Sequence, residues 1–198
     1  MKTQKTALHY SILINTLAAV VCLLPATSAC AQSSMTWSIS ADGIKEVSAG
    51  GVPSQGDPDG SALGFLTLTN GTGGNSGVAV ISLTLSGIGP VGDSYTLGGW
   101  HIHNAASTTT GPIVLDFGSI NTYLSGNTVS ATIGGLSTAT IDNVFANSAN
   151  FYLNIHSSGA PYPGGAIRDQ LTSVVPEPSS LAFAAIGLMG FGIARRKQ

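Results

Sequence analysis

The run at residues 78–86, Val-Ala-Val-Ile-Ser-Leu-Thr-Leu-Ser, constrains the fold more than any other stretch. Ala79, Ile81, Leu83 and Leu85 recur at every second position. Successive strand side chains point to opposite faces, so the run predicts a β-strand with one apolar face. Residues 62–70 read as a second strand, and the cluster Asn70-Gly71-Thr72-Gly73-Gly74-Asn75 between the two runs is rich in residues that close tight turns. A hairpin is therefore expected. The same texture continues, with strands predicted near residues 36–40, 99–104, 112–118, 128–133, 150–156 and 165–172, and a short helical turn at 142–147. About eight short strands with so little helical periodicity predict an all-β fold, an antiparallel sandwich. The 26 glycines and a charged fraction of only 8% agree, since long exposed helices need more charge and fewer glycines.

Both ends depart from this pattern. Lys2 and Lys5 precede an apolar run at 12–24, and Ala29-Cys30-Ala31 supplies the small residues a signal peptidase accepts. Residues 1–31 are therefore expected to be a secretory signal peptide that exports the domain at 32–174. Cys22 and Cys30 both fall in the leader, which leaves the domain no disulfide and no thiolate ligand. At 175–198 the prolines of Val175-Pro176-Glu177-Pro178 forbid a continuing strand. An apolar run at 181–194 and the cluster Arg195-Arg196-Lys197 then predict a transmembrane helix with its basic end in the cytoplasm. Between the ends, Lys45 and Arg168 are the only lysine or arginine, against eight carboxylates. That balance excludes the basic footprint of a nucleic-acid binder. Asp57-Pro58-Asp59-Gly60 opens like a calcium loop, but Leu68 stands at the twelfth position, where such a loop needs an acidic ligand, so an acidic turn is expected.

Outside the leader the chain has three histidines, His101, His103 and His156. On a strand, His101 and His103 share one face and Trp100 and Ile102 the other. In residues 150–156, Phe151, Leu153 and Ile155 form an apolar face and leave Tyr152, Asn154 and His156 opposite. If these strands lie close in one sheet, three imidazoles converge on the side away from the core. Neutral imidazoles suit copper or zinc, with Asp116 or water completing the shell. The alternative is a structural network in which the rings bond to Tyr152, Asn154, Arg168 and backbone. Arg168 is expected to bridge a carboxylate such as Asp116, or to grip an acidic ligand. No nucleophile elbow, phosphate loop or carboxylate pair stands out, which points to a non-enzymatic role.

The tail, with Pro176, Glu177 and Pro178, the apolar run, and Arg195, Arg196 and Lys197, closely resembles the PEP-CTERM sorting signal. The resemblance implies export across the inner membrane of a Gram-negative bacterium, by way of signal peptidase, and handling by an exosortase. It also implies a membrane-anchored intermediate held by the C-terminal helix, and final placement at the cell surface or in an extracellular polysaccharide (biofilm) matrix. The domain resembles the CHRD domain, the module first described in chordin. The resemblance is carried by Glu46-Val47, His101-Ile102-His103 with Gly111-Pro112-Ile113-Val114, the strand from Phe151 to His156, and Pro163-Gly164-Gly165-Ala166-Ile167-Arg168-Asp169-Gln170-Leu171. The strand pattern suits an immunoglobulin-like or superoxide-dismutase-like sandwich, and the expected role of the exported domain is to bind surface proteins or polysaccharide or to serve as a structural component. The alternative is a His-coordinated copper or zinc protein with redox activity. His-x-His on a strand of such a sandwich is also similar to copper-zinc superoxide dismutases. Two positions depart from the family pattern: Ala166 stands where Glu is usual, and Asp169 where Gly is usual. Alternation puts Asp169 on the apolar face, where it needs a partner, because an unpaired buried charge costs several kcal/mol.

Overall fold

The computed structural model describes residues 33–72 and 75–176. The expected signal peptide, the transmembrane helix, Glu177, Pro178 and the basic cluster at 195–197 lie outside the described residues. Among the described residues, no helix is long and apolar enough to cross a membrane.

The described chain runs β1 (Ser34–Asp42), β2 (Ser61–Thr69), β3 (Gly77–Ser86), β4 (Leu97–Asn104), β5 (Ile113–Ser119), β6 (Leu124–Ser125), β7 (Thr128–Leu136), α1 (Thr138–Ala146), β8 (Phe151–Ser157), β9 (Ile167–Gln170) and β10 (Val174–Val175). Every ladder is antiparallel. The strand order is β5-β4-β8-β9-β1-β2-β3-β7-β6, with β10 added to β1. The all-β, antiparallel expectation is met in the form of one continuous sheet curled into a half-barrel. Curling follows from local breaks in register. β4 carries irregularities at Leu97/Trp100, Gly99/His101 and Ile102/His103, and such bulges bend a strand and increase its twist. The two-residue strands β6 and β10 are too short to leave a periodic signal.

The expected hairpin is β2–β3, with Leu66 opposite Ile81 and Ala62 opposite Leu85. Ala79, Ile81, Leu83 and Leu85 of β3 are all buried. They meet Trp37, Ile39, Trp100, Ile102, Leu153 and Ile155 in one core cluster. Burying each large apolar side chain contributes ~1.5–3 kcal/mol, which makes this core the main source of stability. Helix α1 is longer than the turn expected at 142–147. Ser137 caps it by accepting a hydrogen bond from the Thr140 amide at 3.3 Å, and Ile141 and Val144, one turn apart, bury against the core. Phe145 packs beside them against Trp37, with ring centroids 6.1 Å apart, and no anchor precedes Ile141, so the periodicity did not show the start of the helix.

Strand β8 sits between β4 and β9 and is covered on both faces. Phe151, Leu153 and Ile155 enter the core, while Tyr152 and Asn154 on the opposite face are also buried. Loops make that cover. Arg168 donates to the Thr109 carbonyl at 2.9 Å and the Ala106 carbonyl at 2.8 Å, and Gln170 to the Ala105 carbonyl at 2.9 Å, which ties residues 105–111 over the outer face. Asp169 points the other way and finds the partners it needs. It accepts from the Ser40 amide at 2.7 Å and from Lys45 Nζ at 3.0 Å.

Candidate metal centre

Register builds the site. In the β4–β8 ladder, His101 lies opposite Asn154 and His103 opposite Tyr152, and His156 continues the Tyr152–Asn154 face. The three rings therefore converge, with centroids 5.1 Å apart for His101 and His156, 5.7 Å for His101 and His103, and 5.7 Å for His103 and His156. One ring nitrogen of each lies within 4.8 Å of one on each of the others. The sequence expectation that these three side chains meet is fulfilled.

Their hydrogen bonds set which nitrogens are free. His103 Nδ1 lies 2.8 Å from the Gly111 carbonyl and His156 Nδ1 2.9 Å from the Pro163 carbonyl. A carbonyl only accepts, so both Nδ1 atoms carry the hydrogen, and in the neutral ring each Nε2 keeps its lone pair. His103 Nε2, His156 Nε2 and His101 Nδ1 are buried without a hydrogen-bond partner among the described residues. An unsatisfied buried polar atom costs about 1–3 kcal/mol, so three together form an expensive arrangement unless something binds them. The remaining nitrogen of His101, Nε2, stands 3.4 Å from Asp116 Oδ1. Backbone carbonyls or a carboxylate on the outer nitrogens are the supports that orient metal-ligating imidazoles.

Electrostatics favour the ligating form of His101 and His103. Burial pushes the His101 imidazole below its ordinary range, with His156 adding to the effect and Asp116 opposing it. His103 is lowered by burial first, against the Gly111 hydrogen bond, and further by His156, His101 and Arg168. A neutral imidazole is the form that binds metal.

Two expectations need correction. Arg168 does not bridge Asp116. It sits opposite Asn154 on β9, separated from β5 by β8 and β4, and is 1% exposed. Its Cζ lies 3.5 Å from the Tyr152 ring centroid, and Tyr152 stacks on His103 at 4.9 Å and 9°, so the tyrosine is held between guanidinium and imidazole. Nor do the imidazoles bond to the side chains of Tyr152, Asn154 or Arg168. The Tyr152 hydroxyl accepts from the Gly111 amide at 3.4 Å, and Asn154 Oδ1 is itself buried without a partner among the described residues.

Sequence reasoning missed the role of Glu46, taken only as part of a family pattern. It is 2% exposed; Oε1 accepts from the Val47 amide at 3.1 Å, and Oε2 has no hydrogen-bond partner among the described residues. Burial raises its carboxyl above the usual range, against the Val47 amide, the Arg168 guanidinium and the Asn154 side chain. Gly165, at φ 142°, makes room for it, because a Cβ there would stand 2.4 Å from Glu46 Oε2. A carboxylate from a distant loop thus lies beside the position where Ala166 lacks one. The available signal was that Glu46 is the only glutamate in residues 32–175.

Clefts flank the histidines on two sides. One of about 620 Å³ is lined by His101, Asp116, Gly98, Gly99 and Gly118, and one of about 420 Å³ by Glu46, His103, Gly111, Tyr152, Tyr162 and Gly165. Elsewhere, Asp57, Asp59 and Asp93 bring carboxylate oxygens within 4.8 Å of one another, and the Tyr95 hydroxyl already donates to Asp57.

The CHRD domain family model matches residues 37–171, and the model of the PEP-CTERM protein-sorting motif matches residues 174–197. The second match implies export, processing by an exosortase, and placement at the surface or outside the cell. Neither a curated protein nor a solved structure matches the chain.

Proposed function

We propose that this chain, which belongs to the CHRD domain family and ends in a PEP-CTERM sorting motif, is an exported surface protein that binds a transition metal through His101, His103 and His156. The observation that carries the reading is the convergence of three imidazoles, each with one buried ring nitrogen that has no partner among the described residues, two of them held at the other nitrogen by backbone carbonyls. Imidazole suits copper and zinc, and the domain sequence offers no thiolate to shift the preference elsewhere. Asp116 acts outside the shell, on the far nitrogen of His101, where it orients the ring and raises its basicity. The role is binding rather than catalysis.

The test is elemental mass spectrometry of the protein purified without a polyhistidine tag, beside His103→Ala and His156→Ala. One equivalent of copper or zinc in the parent, lost in both variants, is the expected result. A parent that takes up neither ion after incubation overturns the reading.

A further inference from the structure

Which ion the cluster takes is a separate question that rests on the metal reading above. Ligand charge bears on it first. Each ring is neutral when it ligates, and among the described residues no carboxylate groups with the three imidazoles. Asp116 meets the outer nitrogen of His101 with a side chain 65% exposed, while Glu46 lies against Gly165 and the Val47 amide. An ion here keeps its whole charge in a largely buried setting, and the cost of desolvating it rises with the square of that charge.

A fixed cation adds to this. Arg168 is buried, is held by the Ala106 and Thr109 carbonyls, and stacks on Tyr152, which stacks in turn on His103. It cannot swing away when a metal arrives. Its field, one aromatic ring away from His103, opposes positive charge on the rings. The coordination number is compatible with this, since three nitrogens complete a trigonal shell for Cu(I), whereas zinc would add a water as its fourth ligand.

We infer that the cluster is a site for monovalent copper, with His101, His103 and His156 supplying three neutral imidazoles to Cu(I) and Arg168, behind Tyr152, biasing the site against Cu(II) and Zn(II). Filling it from Cu(II) takes one electron per ion from an external reductant.

The experiment loads the full, untagged chain with copper and ascorbate under argon, where ascorbate supplies that electron, and then adds a tenfold excess of Zn(II). One equivalent of copper that stays bound and gives no Cu(II) electron paramagnetic resonance signal is the expected result. Displacement by zinc overturns the ion assignment and leaves the metal reading standing, whereas uptake of neither ion overturns both. This arm needs no variant to fold. A second arm measures the Cu(II)/Cu(I) midpoint potential. Arg168→Gln is expected to lower it, by about 59 mV for each tenfold change in the ratio of the two affinities, while Arg168→Lys, which keeps the charge, retains most of the parent value. Equal shifts in both variants reduce Arg168 to a loop tether, and an unchanged potential in Arg168→Gln removes it from the site's tuning. Either result overturns its part of the inference.

Discussion

His103 is the residue at which burial, stacking and proton chemistry meet. Its folded pKa lies below the ordinary 6.5, chiefly through burial, and His101 is shifted the same way. Below pH 6.5 the unfolded chain binds protons that the folded chain refuses, so stability falls as pH drops from 6.5 towards the folded pKa, and the contribution is fully present above 6.5. Each unit of pKa difference is worth about 1.4 kcal/mol. Urea midpoints of the metal-free protein between pH 7.5 and 5.5 are expected to fall less steeply for His103→Gln than for the parent; parallel curves would show that His103 is not a group that resists protonation. Gly165 makes a second case. Its φ of 142° is unfavourable for any side chain, and its missing Cβ is what leaves Glu46 Oε2 its place. Gly165→Ala should cost about 1–3 kcal/mol in urea unfolding, and a neutral result would mean that the Glu46 side chain has room to move.

At the scale of elements, β8 and β9 are where the sheet becomes a site. Both carry the usual alternation, yet both are buried on the two faces, because Arg168 and Gln170 hold residues 105–111 across the outer one. On the inner side Asp169 fastens β9 to β1 through the Ser40 amide and to Lys45. These two partners differ in worth. Removing the carboxylate orphans a backbone donor, at about 1–3 kcal/mol. Removing Lys45, whose side chain is 42% exposed, breaks an ion pair worth at most about 1 kcal/mol. Asp169→Ala is therefore expected to lower the urea midpoint clearly more than Lys45→Ala; the reverse order would show that the ion pair, and not the amide, secures the strand. The hairpin β2–β3 was fully legible from its alternation. The second burial of β8 was not, since Tyr152 and Asn154 read as an ordinary polar face until loops from elsewhere in the chain close over them.

For the whole molecule, the sorting tail begins where the sheet ends. Val174 and Val175 form β10 on β1, opposite Trp37 and Thr36, so the last strand and the sorting-motif match that starts at residue 174 overlap. A deletion meant to test sorting must spare β10. A chain stopped after Pro176 is expected to keep the unfolding midpoint of the parent while losing surface association in cell fractionation. Undiminished surface association would show that the tail does not direct it, and a lowered midpoint would show that residues beyond 176 contribute to the fold.

The sequence by itself determined the class of fold and the partners within the site. Strict two-residue alternation fixes which side chains face the core, and it placed His101 and His103 on one face and His156 on the like face of a second strand. Tertiary structure decided what those histidines are. Only pairing of β4 with β8 brings residues half a hundred positions apart to one spot, only the carbonyls of Gly111 and Pro163 select the free nitrogens, and only burial leaves those nitrogens unsolvated. Arg168 shows the same limit from the other side. Its charge was legible, but its partner was not, because strand order, which no local pattern encodes, put Tyr152 beneath it and Asp116 out of reach.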